Sequence, residues 1–144
     1  MATLDWMRYV DANLAAAGYK RGGARDRIIE LLGDQECALS AAEIERLLQQ
    51  RGRRIARASI YRVLDLLVAR GLAERIVTGQ GEARFEPLEP SGEHHHHLVC
   101  GQCGALVAFD DPGLETAIDR LSDRLGVTVD SHEILLRGHC GDCT

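Results

Sequence analysis

The sequence predicts an α+β chain in two domains, a winged helix over residues 1–86 and a smaller α/β domain over residues 93–144, joined by a linker at 87–92. Three observations carry this. Four stretches with apolar residues at helical spacing are followed by two short β-rich runs around Thr78-Gly79-Gln80-Gly81, a hairpin turn signal. Two prolines and a glycine interrupt the pattern between Pro87 and Gly92. Cys100 and Cys103 form one C-x-x-C pair and Cys140 and Cys143 a second. Each pair can bite one side of a Zn²⁺ ion, and the two together complete a tetrahedron.

Leu4 to Ala17 reads as a helix, with Leu4, Met7, Val10, Leu14 and Ala17 on one face. Gly18 and Gly22-Gly23 break it, and Ala24 to Leu32 forms a second helix ending at Gly33. Ser40 followed by Glu43 is a capping box, opening a third helix that runs to about Gln50. A fourth spans Ala56 to Ala69 with Ile60, Val63, Leu64, Leu67 and Val68 inward, and Gly71 closes it as C′. Leu72 to Val77 and Ala83 to Glu86 are the wing strands. Beyond the linker, His96 to Cys100 and Ala105 to Phe109 read as strands, Pro112 to Leu125 as a helix, and Val127 to Arg137 as a strand.

Charge separates the two halves. Residues 1–87 carry 14 Lys and Arg against 12 Asp and Glu, a balance of +2, and residues 88–144 carry 3 against 10, a balance of −7. A wholly basic nucleic-acid-coating surface is excluded, but a basic patch on the first half is not. No apolar run is long enough to span a membrane, and Met1 to Val10 carries Asp5 and lacks a basic leader. The expectation is a soluble cytoplasmic protein without a membrane partner. In a reducing cytosol the paired cysteines read as metal ligands before disulfides.

His94-His95-His96-His97 runs directly into the first cysteine pair. On an extended strand alternate side chains face opposite ways. His95 and His97 then face one side and His94 and His96 the other, so one run can feed two metal sites. Imidazole alone does not choose among Zn²⁺, Fe²⁺, Ni²⁺ and Co²⁺. A solvated polar strand is the plain alternative. The fourth helix carries Arg57, Ser59, Tyr61 and Arg62 near its start, behind Arg51, Arg53 and Arg54. A recognition helix places such residues in the major groove; a solvated basic face is the plain alternative.

The stretches Leu39-Ser40-Ala41-Ala42-Glu43-Ile44, Ala58-Ser59-Ile60-Tyr61-Arg62-Val63-Leu64, Arg84-Phe85-Glu86, His94 through Cys100, Cys103-Gly104 and Gly138-His139-Cys140 occur in one order along the chain. In these residues the chain resembles the ferric uptake regulator (Fur) family of metal-sensing bacterial repressors, over almost its whole length. The resemblance implies an N-terminal winged-helix DNA-binding domain and a C-terminal α/β dimerisation domain with a structural four-cysteine zinc site. It implies that metal at the hinge closes a homodimer onto a palindromic double-stranded DNA operator. By the same resemblance, Cys100, Cys103, Cys140 and Cys143 match the structural zinc ligands, and Glu86, His95 and His97 the hinge sensing site. His94, His96, Glu115 and His132 match a further site in the dimerisation domain, and Tyr61 and Arg62 the DNA-reading pair.

Two positions depart from the family pattern. Many iron- and peroxide-sensing members have a histidine where this chain has Ala38, and an acidic residue where it has Ala108. Cys37 or the wing acid Glu74 could complete a tetrahedral set with His95 and His97; the plain reading of Cys37 is a small buried hydrophobe. The expectation is therefore a zinc-sensing repressor holding a structural Zn²⁺ and a second regulatory divalent metal, zinc before Fe²⁺ or Mn²⁺. The alternative is an Fe(II) or peroxide sensor of the same family. A metallo-hydrolase would need a placed general base beside the histidines; Glu93 is the only neighbour, and no H-E-x-x-H pattern exists. The chain is expected not to be an enzyme. A zinc-storage or redox-switch module without DNA binding is the remaining competitor.

Overall fold

The computed structural model describes residues 2–35, 38–79, 81–90 and 95–144. The chain divides into two compact units, Met1–Glu93 and His94–Thr144. The first contains α1 (Ala2–Ala16), α2 (Gly23–Asp34), β1 (Leu39–Ser40), α3 (Ala41–Gln50), α4 (Arg57–Ala69), β2 (Ala73–Ile76) and β3 (Arg84–Pro87). The second contains β4 (His96–Cys100), β5 (Leu106–Phe109), α5 (Pro112–Leu125) and β6 (Leu135–Gly138). The architecture is the expected α+β one. No helix among the described residues is long and apolar enough to cross a membrane.

In the first unit the apolar faces of the four helices meet in one cluster that includes Trp6, Val10, Ile28, Leu31, Ile44, Ile60, Leu64, Leu67 and Phe85. The indole Nε1 of Trp6 donates to the Leu72 carbonyl at 2.8 Å, so the largest core side chain also satisfies its polar atom. Ser40 accepts from the Glu43 amide at 3.1 Å, and Glu43 accepts from the Ser40 amide at 3.4 Å, closing the capping box. Ser40 is also the last residue of β1, opposite Arg84 on β3. This two-residue strand is not among the expected elements; it is too short to leave a period in the sequence. The wing sheet has the order β1-β3-β2, all antiparallel. β3 runs one residue further than expected, with Pro87 opposite Ala73, so the first residue assigned to the linker belongs to the wing.

In the second unit β4 is the central strand, antiparallel to β5 and parallel to β6. α5 keeps its expected bounds. Asp111 caps it by accepting from the Leu114 amide at 3.1 Å, Pro112 occupies its first position, and Gly126 ends it at φ +67°. The strand expected over Val127 to Arg137 is shorter: only Leu135–Gly138 pairs, starting opposite His97. Val127 and Val129 have the β-branched alternation of a strand but are exposed. Alternation alone does not make a strand, and among the described residues no strand pairs with this stretch.

Candidate metal centres and nucleic-acid interface

The cysteine cluster is built by the register of β4 and β6. Cys100 ends β4 opposite Gly138 on β6, and two residues later the chain reaches Cys140. The Gly101 amide donates to the Gly138 carbonyl at 2.8 Å, binding the first knuckle to the second. Gly104, at φ +75°, turns the chain back so that the Cys100 amide donates to Ala105 at 2.9 Å. The four sulfurs lie within 4.8 Å of one another, with Cys103 and Cys140 Sγ at 3.7 Å. A tetrahedron with metal–sulfur bonds of about 2.3 Å has sulfur–sulfur edges of about 3.8 Å. The donor set therefore fits zinc in both chemistry and size.

Ionisation points the same way. Backbone donors from Cys103, then Cys140 and Gln102, bring the Cys100 thiol down to about 5. Hydrogen bonding to Cys140 and Cys103 pushes the Cys143 thiol up to about 12. One thiolate forms readily and its neighbour resists a second negative charge. A divalent cation removes that conflict and lets all four sulfurs bind as thiolates.

A second cluster sits at the other end of β4. His96 is buried, and its Nε2 lies 2.6 Å from Glu115 Oε1. His132 Nε2 lies 2.6 Å from Glu115 Oε2. One carboxylate thus joins two imidazoles, whose ring centroids are 5.2 Å apart. Hydrogen bonding from His96 is the main cause that holds the Glu115 carboxyl below its ordinary 4.5; partial burial opposes it, and His132 adds to the lowering. The three ligand atoms lie within 4.8 Å of one another. His132 reaches the cluster from the segment before β6. His94, the fourth residue expected here, lies outside the described residues.

His95 and His97 project from the opposite side of the strand, their rings 4.9 Å apart and nearly edge to face. Across the ladder His97 pairs with Ala108, so the missing acidic residue is missing from the position beside this histidine. Glu86 is buried on β3 in the first unit, opposite Glu74 on β2. Ala38 is buried, and Cys37 lies outside the described residues.

Along α4, Arg62 is exposed, with its Nε 3.4 Å from the Ala58 carbonyl. Tyr61 is half-buried against the core and Ser59 is also half-buried; Asp65 is exposed. Arg57 is differently placed. Its Nε lies 2.8 Å from Glu45 Oε2 on α3, and its guanidinium 3.8 Å from Glu82 Oε1 in the wing. Hydrogen bonding to Glu45 raises its pKa further. A DNA phosphate would have to replace these carboxylates. Neither partner is legible in the sequence, because contacts between distant residues leave no local signal.

The family model described as "Ferric uptake regulator family" matches residues 16–137. The ferric uptake regulation protein of Neisseria meningitidis serogroup B is 35% identical over 133 residues, covering 92% of this chain and 91% of the relative. That of Escherichia coli K12 is 32% identical over 133 residues, covering 90% and 88%. Among solved structures, the Vibrio cholerae ferric uptake regulator is 32% identical with a TM-score of 0.79, over 90% of this chain and 98% of that one. The Helicobacter pylori regulator superposes with a TM-score of 0.86 over 99% and 94%, at 22% identity, a likeness of fold.

Proposed function

The chain belongs to the ferric uptake regulator family, whose members are metal-responsive transcription regulators and not enzymes, and on that premise we propose a homodimeric repressor whose operator binding depends on a metal at its hinge. Fur-family proteins bind operator DNA as dimers. In this reading Glu86 from the first unit and His95 and His97 from the second hold the regulatory metal. Binding energy then acts directly on the angle between winged helix and dimer core, and the metal stabilises the DNA-competent conformer by its differential affinity. The observation that carries the reading is the placement of ligands along β4. His97 faces one side, His96 the other, and Cys100 ends the strand. A single strand can thus link the sensing side chains to the cysteine cluster. Tyr61, Arg62 and Ser59 read the major groove. Family members are cytoplasmic, and this chain acts there too.

For the regulatory metal, the relatives' names favour iron over the zinc expected from the ligand count. A zinc response keeps one specific support. Alanine at 38 and 108 removes two nitrogen or oxygen donors, and His97 faces Ala108 across the sheet. The deciding experiment is a titration of binding to the protein's own promoter after chelation of the regulatory metal, with Fe²⁺, Mn²⁺ and Zn²⁺ added separately under anaerobic conditions. Activation by Fe²⁺ at free concentrations where Zn²⁺ is inert supports the iron reading. The reverse supports zinc. Metal-independent binding rejects both.

A further inference from the structure

The arginines around the start of α4 do not have equivalent surroundings. Arg57 is held by Glu45 and Glu82, and Arg51 lies 4.0 Å from Asp34. Arg53 and Arg54 are exposed and make no ion pair among the described residues. Together with Gly23, Ala24, Arg27 and Ile55 they line a cleft of about 340 Å³. Arg27 shares its charge with Glu30 at 3.3 Å, both side chains about half exposed. Two arginines without an ion pair among the described residues thus share one concave place with Arg27. That place lies immediately before the recognition helix. Its wall of small residues, Gly23 and Ala24, is open: a Cβ at Gly23 would meet nothing within 4 Å.

We propose that this cleft is an oxyanion site that clamps one phosphate of the DNA backbone per protomer beside the major groove read by α4. The proposal rests on the DNA-binding reading above. Planar guanidinium groups offer paired donors matched to phosphate oxygens. Contacts to backbone phosphates fix register and orientation without reading sequence. A clamp at residues 53–54 anchors the segment that leads into α4, so it sets how deeply Ser59, Tyr61 and Arg62 enter the groove. Arg57 has a different task in this arrangement. Its charge is engaged by Glu45 and Glu82, and it ties α3 and the wing to the head of α4.

The test measures operator affinity of the metal-loaded full chain as a function of salt. Releasing counterions from one phosphate contributes about 0.9 to the slope of log affinity against log salt. Arg53→Ala/Arg54→Ala should therefore lower the slope by about two per dimer. It should weaken operator and unrelated duplex by the same factor, on the order of tenfold or more. Arg53→Lys/Arg54→Lys should restore most of the slope and only part of the affinity. Arg57→Ala, as internal control, should leave the slope nearly unchanged. An unchanged slope in the double alanine variant, with the wild type still binding operator, overturns the clamp and leaves the DNA reading intact. A metal-loaded wild type that ignores its operator overturns both. A DNA-free arm follows the arginine Nε–H signals by NMR during addition of pyrophosphate. A saturable shift, lost in Arg53→Ala/Arg54→Ala, supports an oxyanion site filled by free phosphate; no shift with either pyrophosphate or operator overturns the site.

Discussion

The two units bury different kinds of residue. In the first, seventeen apolar side chains among the described residues form one continuous core, from Trp6 on α1 to Phe85 on β3. In the second, the buried residues among those described are His96, His97, Val99 and Cys100, all on β4, and three of the four are candidate metal ligands. The helices differ in the same way. α2 buries five residues, whereas α5 buries none and exposes Leu121 and Leu125. A small unit with so little apolar burial needs another source of stability, and metal and a partner copy are the usual ones. The first unit is thus held by an apolar core, whereas the buried positions of the second are mostly candidate metal ligands.

Removing the structural metal should break this contrast most severely. Cys100→Ser or Cys143→Ser should abolish the tightly held zinc and much of the dimer while the far-ultraviolet helical signal of the first unit persists. Retention of a metal-free, fully folded dimer would show that the second unit has a core of its own. Conversely, Leu64→Ala should destabilise the first unit by about 2–5 kcal/mol and leave zinc content unchanged. Chemical denaturation followed by thiol accessibility separates these two outcomes. At the recognition helix, Arg62→Ala or Tyr61→Ala should each weaken operator binding by about 1–3 kcal/mol with metal content unaltered; wild-type affinity in either would remove that assignment.

The smallest effect concerns Glu115. Its folded pKa lies below the ordinary 4.5, so its contribution to stability is complete above that value and fades as pH falls through the folded value. A ¹³C NMR titration of protein without regulatory metal should place the carboxyl midpoint below 4.5, and His96→Ala should move it upward. A midpoint unmoved by His96→Ala would mean that the imidazole does not hold the carboxylate.

Legibility in the sequence follows the range of the forces involved. Helices with a dense apolar period and a cap, such as α3 behind Ser40 or α5 between Asp111 and Gly126, can be bounded to within a residue or two. The cysteine quartet is readable because thiolate spacing is fixed by zinc geometry. The alternation of His95 and His97 against His96 is readable because strand period is fixed by backbone geometry. What depends on distant partners is not readable. β1 exists only through its pairing with β3, and residues 127–133 look like strand because sequence cannot show that no strand among the described residues pairs with them. The ion pairs of Arg57 join residues 12 and 25 positions away. Metal choice depends on coordination number and donor type, which Ala38 and Ala108, positions without a donor side chain, do not supply.

Metal held by His95, His97 and Glu86 is proposed above to control DNA binding. The most direct measurement is operator binding of His97→Ala against Fe²⁺ and Zn²⁺ titrations, beside His96→Ala and the wild type, with structural zinc verified in all three. The account predicts that His97→Ala loses metal-dependent binding and that His96→Ala, altered only within one unit, loses it in part. Undiminished metal activation in His97→Ala would contradict the account.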